Sequence, residues 1–93
     1  MLPYWDGSKN HVFHVFVIRT KNRNELKEFL LKNGIETLIF YPIPPHKQKV
    51  FKSWNNKSLP ITENIHDEVI SIPLNPYIKS RDVEKIITAL NNY

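Results

Sequence analysis

Apolar and polar positions along this chain alternate with two different periods, and the changes of period mark out its elements. In His11–Arg19, HVFHVFVIR, Val12, His14, Phe16 and Ile18 fall on one face and Phe13, Val15 and Val17 on the other. Both faces are apolar at the centre, which predicts a strand in the interior of a sheet. From Asn22 to Asn33 the period lengthens, with Leu26, Phe29, Leu30 and Asn33 at helical spacing and Asn22 and Glu25 at the spacing of a capping box. Gly34 is placed to end this helix in the left-handed conformation, and Ile35 can pack back on Leu30 as its stop. Thr37–Phe40 is extended again and ends where Pro42, Pro44 and Pro45 fix φ and remove backbone donors.

The second half repeats the scheme. Lys47–Leu59 is a polar loop in which Val50, Phe51 and Trp54 allow a short helical turn. Pro60 suits a first helical position, Glu63 stands in the first turn where the dipole favours an anion, and Ile61, Ile65 and Val69 form the expected apolar face. Val69–Ile72 alternates and stops at Pro73. Ser80 is the expected N-cap of a last helix, with Asp82 in its first turn and one stripe made by Val83, Ile86, Ile87 and Leu90. The order β-α-β-α-β-α predicts a small two-layer α/β sandwich, a three-stranded sheet with helices on one face and the other face exposed or docked on a partner. Ninety-three residues make one domain. Residues 1–10, rich in turn-formers, are expected to be a linker, and residues 11–93 the domain.

Composition narrows the function classes. The absence of cysteine removes disulfides and thiolate metal sites and fits a reducing, cytoplasmic setting. The longest apolar run, Val15–Ile18, is far below the roughly 20 residues that cross a bilayer, so no membrane partner is expected. His11 and His14, three apart on a strand, point to opposite faces, and His66 beside Asp67 and Glu68 reads as a solvated side chain, so no metal site is expected. No nucleophile and base arrangement, phosphate-cradling glycine loop or paired carboxylate appears, hence no catalytic residue is assigned. A formal charge of +4 invites anions. Its most concrete expression is Lys47, Lys49, Lys52 and Lys57 around Phe51 and Trp54, which defines the alternative reading: a basic RNA- or DNA-binding module using the Lys47–Lys57 loop.

The stretch TLIFYPIPPHKQ, Thr37–Gln48, stands apart. Residues before proline are driven to extended conformations, so Tyr41, Ile43 and Pro44 form a stiff exit from the sheet and not a slack loop. Such an exit can hold a hydroxyl, Tyr41, and an imidazole, His46, in fixed places. These are groups suited to finishing a site built mostly elsewhere.

The succession HVFHVFVIR, a helix ending in NGI, FYPIPPHKQ and DEVISIPLNP resembles the C-terminal part of the DegT/DnrJ/EryC1/StrS family of sugar aminotransferases. Its most specific piece is the family's HYPxPxHxQ segment, matched by Tyr41, Pro42, Pro44, His46 and Gln48, with further matches at Val15–Arg19 and at Ser71, Ile72 and Pro73. The resemblance implies the small C-terminal domain of the aspartate-aminotransferase architecture, fold type I. The enzymes it implies use pyridoxal phosphate to move an amino group, usually from glutamate, onto a keto-sugar nucleotide in polysaccharide, lipopolysaccharide or amino-sugar biosynthesis. The cofactor lysine and phosphate cradle of that family belong to a large domain of the same chain, so this segment is expected to bind no cofactor and to do no chemistry alone. The implied partners are that large domain, a second subunit in a homodimer and the sugar nucleotide. Tyr41 and His46 become candidate substrate-side contacts. Phe40 joins them as the position where the family often has histidine, and its ring cannot hydrogen-bond a sugar or phosphate oxygen.

Overall fold

The computed structural model describes residues 1–93. Strand β1 (Phe16–Arg19) and helix α1 (Arg23–Lys32) are followed by two 3₁₀ segments, Pro45–Lys47 and Lys49–Trp54, then α2 (Pro60–Glu68), β2 (Val69–Ile72) and α3 (Ser80–Asn91). The strands are antiparallel, Phe16 opposite Ile72 and Ile18 opposite Ile70. Directly opposed residues share a face, so these four present one apolar surface. Leu26 and Leu30 of α1, Ile35, and Ile86 and Ala89 of α3 close the core over it.

The end of α1 follows its sequence signals. Gly34, at φ 69°, donates to Leu31 O and Ile35 N donates to Leu30 O, each at 2.9 Å, with Leu30 and Ile35 both buried in the core. This is the paired bonding of a Schellman stop. The starts differ from expectation. Asn22 makes no side-chain cap, and at α3 the N-cap position falls on Lys79, leaving Ser80 as the first helical residue with no capping bond.

The sheet is smaller than the pattern predicts: two strands, with Thr37–Phe40 contributing an isolated bridge between Leu38 and Ser71 in place of a third strand. Leu38 N donates to Ser71 O at 3.0 Å and Ser71 N to Leu38 O at 2.7 Å. The pairing stops on both sides for local reasons. Opposite Glu36 the partner is Pro73, which has no N–H, and beyond Phe40 the chain is already turning into Pro42. The middle position therefore belongs to β2 and not to β1. β1 is also shorter than His11–Arg19, because four-residue β2 offers its first residues no partner. Phe13 instead sits at φ 45°, its N–H bonded to His11 Nδ1 at 2.8 Å.

The first residues are not detached. Met1 lies along the outer edge of β1, its ammonium donating to Arg19 O at 2.7 Å and its carbonyl accepting from Arg19 N at 3.0 Å. Only the last residue of that edge is paired in this way. The core is thin for the chain length, with nine of 93 residues buried. The radius of gyration is 15.4 Å, against about 12 Å for a compact domain of this size. Ile61 and Ile65, the expected buried face of α2, are exposed, as are Val15 and Leu38 on the second face of the sheet. α2 spends its contacts elsewhere, on the loop that carries Tyr41 and His46.

Candidate functional site: the proline-rich loop on helix α2

Pro60 occupies the first turn of α2, and Glu63 and His66, three residues apart in that helix, lie on one side of it. Both turn toward the loop. Glu63 Oε1 lies 2.7 Å from His46 Nε2 and accepts from the backbone N–H of Leu59 at 3.0 Å, with Lys47 Nζ 3.8 Å away. The Leu59 N–H is the largest influence holding the Glu63 carboxyl below the ordinary glutamate value. The bond to His46 and the charge of Lys47 act in the same direction, against a smaller opposing effect of desolvation. A carboxylate can only accept, so Nε2 of His46 is the donor. The ring is 2% exposed, and its other nitrogen, Nδ1, is buried without a partner in the chain.

Three more side chains tie the loop to itself. Asn55 Nδ2 donates to the carbonyls of His46 at 2.8 Å, Gln48 at 3.2 Å and Phe51 at 3.3 Å. Lys47 Nζ donates to Asn55 O and Lys57 O, both at 2.9 Å, and Gln48 Nε2 reaches Ile43 O at 3.2 Å. At the near end of the loop, His66 Nδ1 donates to Tyr41 O at 2.6 Å. The backbone from Tyr41 to Gln48 is thereby held at the carbonyls of Tyr41, Ile43, His46 and Gln48.

What the loop presents forward is aromatic. Tyr41 is 64% exposed and Phe40 45%, their rings edge to face with centroids 5.7 Å apart. Phe40 also lines an open concavity of about 470 Å³ together with His14, Glu36, Ser71 and Asn75. Of the three residues singled out from sequence, Tyr41 and Phe40 are therefore neighbours at the surface. His46 lies inside the loop with its ring toward Glu63. Sequence reasoning passed over Glu63, His66 and Asn55 as supports. The available signal was the three-residue spacing of Glu63 and His66, which puts two polar groups on one side of a helix whose apolar positions have nothing to cover.

The lysine-rich loop is arranged differently from a base-stacking platform. Phe51 and Trp54 stack on each other at 5.0 Å and 13°, Lys57 Nζ lies 4.9 Å over the Trp54 ring, and Lys47 is committed to two carbonyls. No three His, Asp or Glu side chains come together where they could hold a metal ion, and no helix is long and apolar enough to cross a membrane.

Residues 2–91 match the DegT/DnrJ/EryC1/StrS aminotransferase family, and the chain belongs to that family. It is 46% identical over 92 residues to the dTDP-3-amino-3,6-dideoxy-alpha-D-galactopyranose transaminase of Aneurinibacillus thermoaerophilus, a match covering 99% of this chain and 25% of that protein. It is 34% identical to the UDP-N-acetyl-3-dehydro-alpha-D-glucosamine 3-aminotransferase of Acidithiobacillus ferrooxidans, covering 96% of this chain and 24% of that protein. Among solved structures it superposes on the S. venezuelae enzyme DesV in complex with a ketimine intermediate with a TM-score of 0.89 at 31% identity, over 98% of this chain and 25% of that one. A Brucella abortus aminotransferase of the same family gives 0.85 at 28% identity, with the same coverage. The chain thus spans about a quarter of the length of the curated relatives it matches.

Proposed function

We propose that this chain is the small C-terminal domain of a sugar aminotransferase, and that it supplies the substrate side of an active site completed by the rest of the enzyme. The observation that carries the reading is the loop at Tyr41–Gln48: its backbone is pinned from behind by α2 and Asn55 while Tyr41 and Phe40 stand open in front. A site that must hold a flexible sugar gains rate from groups already fixed in place. In this reading the Tyr41 hydroxyl, which can both donate and accept, meets a sugar hydroxyl or phosphate oxygen. Phe40 supplies an apolar wall beside it, and His46 keeps the loop in shape from beneath.

The residues present do not fit pyridoxal phosphate. The lysine nearest the site, Lys47, has its ammonium bound to two carbonyls beside Glu63, and neither of the two glycines belongs to a phosphate-binding turn. When bound, that cofactor carries the amino group between donor and acceptor, and we assign it to a large domain of the same polypeptide. Glutamate as donor, a keto-sugar nucleotide as acceptor, a homodimer as the working unit, and a cytoplasmic role in polysaccharide or amino-sugar biosynthesis complete the proposal.

The test is a graft. In the Aneurinibacillus thermoaerophilus relative, the segment matching this chain is replaced by residues 1–93, and the sugar-nucleotide transamination for which that relative is named is assayed. Retained turnover by the folded hybrid is expected. A hybrid that folds and takes up its cofactor but transaminates no sugar nucleotide overturns the reading.

A further inference from the structure

His66 has no place in the family segment that drew attention to the loop, and its neighbours Asp67 and Glu68 make it read as a solvated residue. Its surroundings show otherwise. The side chain is partly buried, and Nδ1 lies 2.6 Å from the carbonyl oxygen of Tyr41, 25 positions earlier in the chain. A carbonyl only accepts, so the proton is on Nδ1. This is the single hydrogen bond that Tyr41 makes: neither its N–H nor its hydroxyl has a partner in the chain. Pro42, next along, has no N–H to add a second hold.

The other end of this tie is firm. His66 O accepts from Arg23 Nη1 at 3.0 Å, and Glu68, two residues on, pairs with Arg19 of β1. Arg23 opens α1, the helix whose Leu26 and Leu30 are buried in the core. Position is thereby handed from the core through α1 to His66 and on to the Tyr41 carbonyl. Glu63, one turn earlier in α2, holds the far end of the loop through His46.

We infer that His66 is a positioning residue for Tyr41, fixing the backbone of the residue that faces the sugar nucleotide through its Nδ1–H, with the Glu63–His46 contact as the matching tie at the other end of the loop. The role of Tyr41 rests on the function proposed above, whereas the tie itself does not. It is read without any activity measurement.

The experiment is nuclear magnetic resonance on the full 93-residue chain, labelled with ¹⁵N and ¹³C, at about pH 8, where an ordinary imidazole is neutral. The expected spectrum shows His66 as the Nδ1–H tautomer with a bare Nε2, and His46 as the opposite, Nε2–H form. Three variants follow. In His66→Asn the amide nitrogen falls near the place of Nδ1, so the donor is kept. In His66→Gln it is carried one bond too far, and in His66→Phe it is absent. The backbone order parameter of Tyr41 is expected to stay near the rigid value of about 0.85 in the wild type and His66→Asn, and to fall below about 0.6 in the other two. An Nε2–H tautomer at His66, or equal Tyr41 order in His66→Asn and His66→Gln, overturns the inference. Should His66→Phe fail to fold, the wild-type tautomer and the Asn and Gln pair still decide. A silent graft with these spectra intact rejects the functional reading and leaves the tie standing.

Discussion

Replacing Asn55 by alanine tests whether the loop is held by the bonds described or merely by its prolines. The Asn55 amide has two N–H groups facing three carbonyls, of which His46 O at 2.8 Å is the shortest partner, while Gln48 O and Phe51 O at 3.2 and 3.3 Å share the second proton. Two net bonds at about 0.5–1.5 kcal/mol each give a ceiling near 3 kcal/mol. Asn55 is only partly buried, so the released carbonyls regain water, and about 1–2 kcal/mol is the expected loss. For a chain of this size that corresponds to a fall in Tm of roughly 5–15 °C, or about 1 M in the urea midpoint with the slope unchanged. Asn56, next along, is exposed and makes no hydrogen bond through its side chain, so Asn56→Ala should stay within about 0.5 kcal/mol of wild type. Equal effects of the two substitutions would show that Asn55 does not hold the loop.

Three further outcomes follow from the same structure. Leu30 is fully buried where α1 meets the sheet, so Leu30→Ala should cost about 3–4 kcal/mol by urea unfolding, and a loss below 1 kcal/mol would show that Leu30 is not packed in the core. Because the Glu63 carboxyl is held below the ordinary glutamate value of 4.5, its contribution to stability is complete above that value and disappears as pH falls through the lowered native one. Unfolding curves of wild type and Glu63→Gln should therefore converge on acidification from pH 4.5 downwards, and curves that stay parallel would refute this. In the grafted enzyme, Tyr41→Phe removes the hydroxyl proposed to meet the substrate and should reduce kcat/KM by about tenfold, a loss of about 1.4 kcal/mol. Unchanged kinetics would remove Tyr41 from the site.

The parts of the fold legible in the sequence are those whose cause is local. α1 and α3 show their stripes because a helix buries one side of itself whatever it packs on. Gly34 marks a stop because left-handed φ is a property of one residue. Strand lengths are less legible because a strand is as long as its partner allows: Thr37–Phe40 has the composition of a strand, but Pro73 stands where its next bond would go. The site divides in the same way. The prolines and the family resemblance single out Tyr41, His46 and Phe40, but not which of them stands exposed. The inward turn of His46 depends on Glu63, 17 positions later, and the hold on Tyr41 on His66, 25 positions later. Within a short window only the three-residue spacing of Glu63 and His66 points to such supports, and it does not say what they hold.

The pairing of β1 with β2 has a consequence for the order of events in folding. Arg19 and Glu68, 49 positions apart, meet where the two strands join, and every residue that shapes the loop lies between them. Closing a segment of that length is among the slower steps available to a small chain. The loop can acquire its shape only once α2 has been brought against it, and α2 is anchored by the strand that follows it. A polypeptide still lacking Val69–Ile72 carries every side chain that ties the loop, but not the strand that joins α2 to β1. Glu68 on Arg19 and the His66 carbonyl on Arg23 join α2 to β1 and α1, so the supports of the loop and the core share one framework.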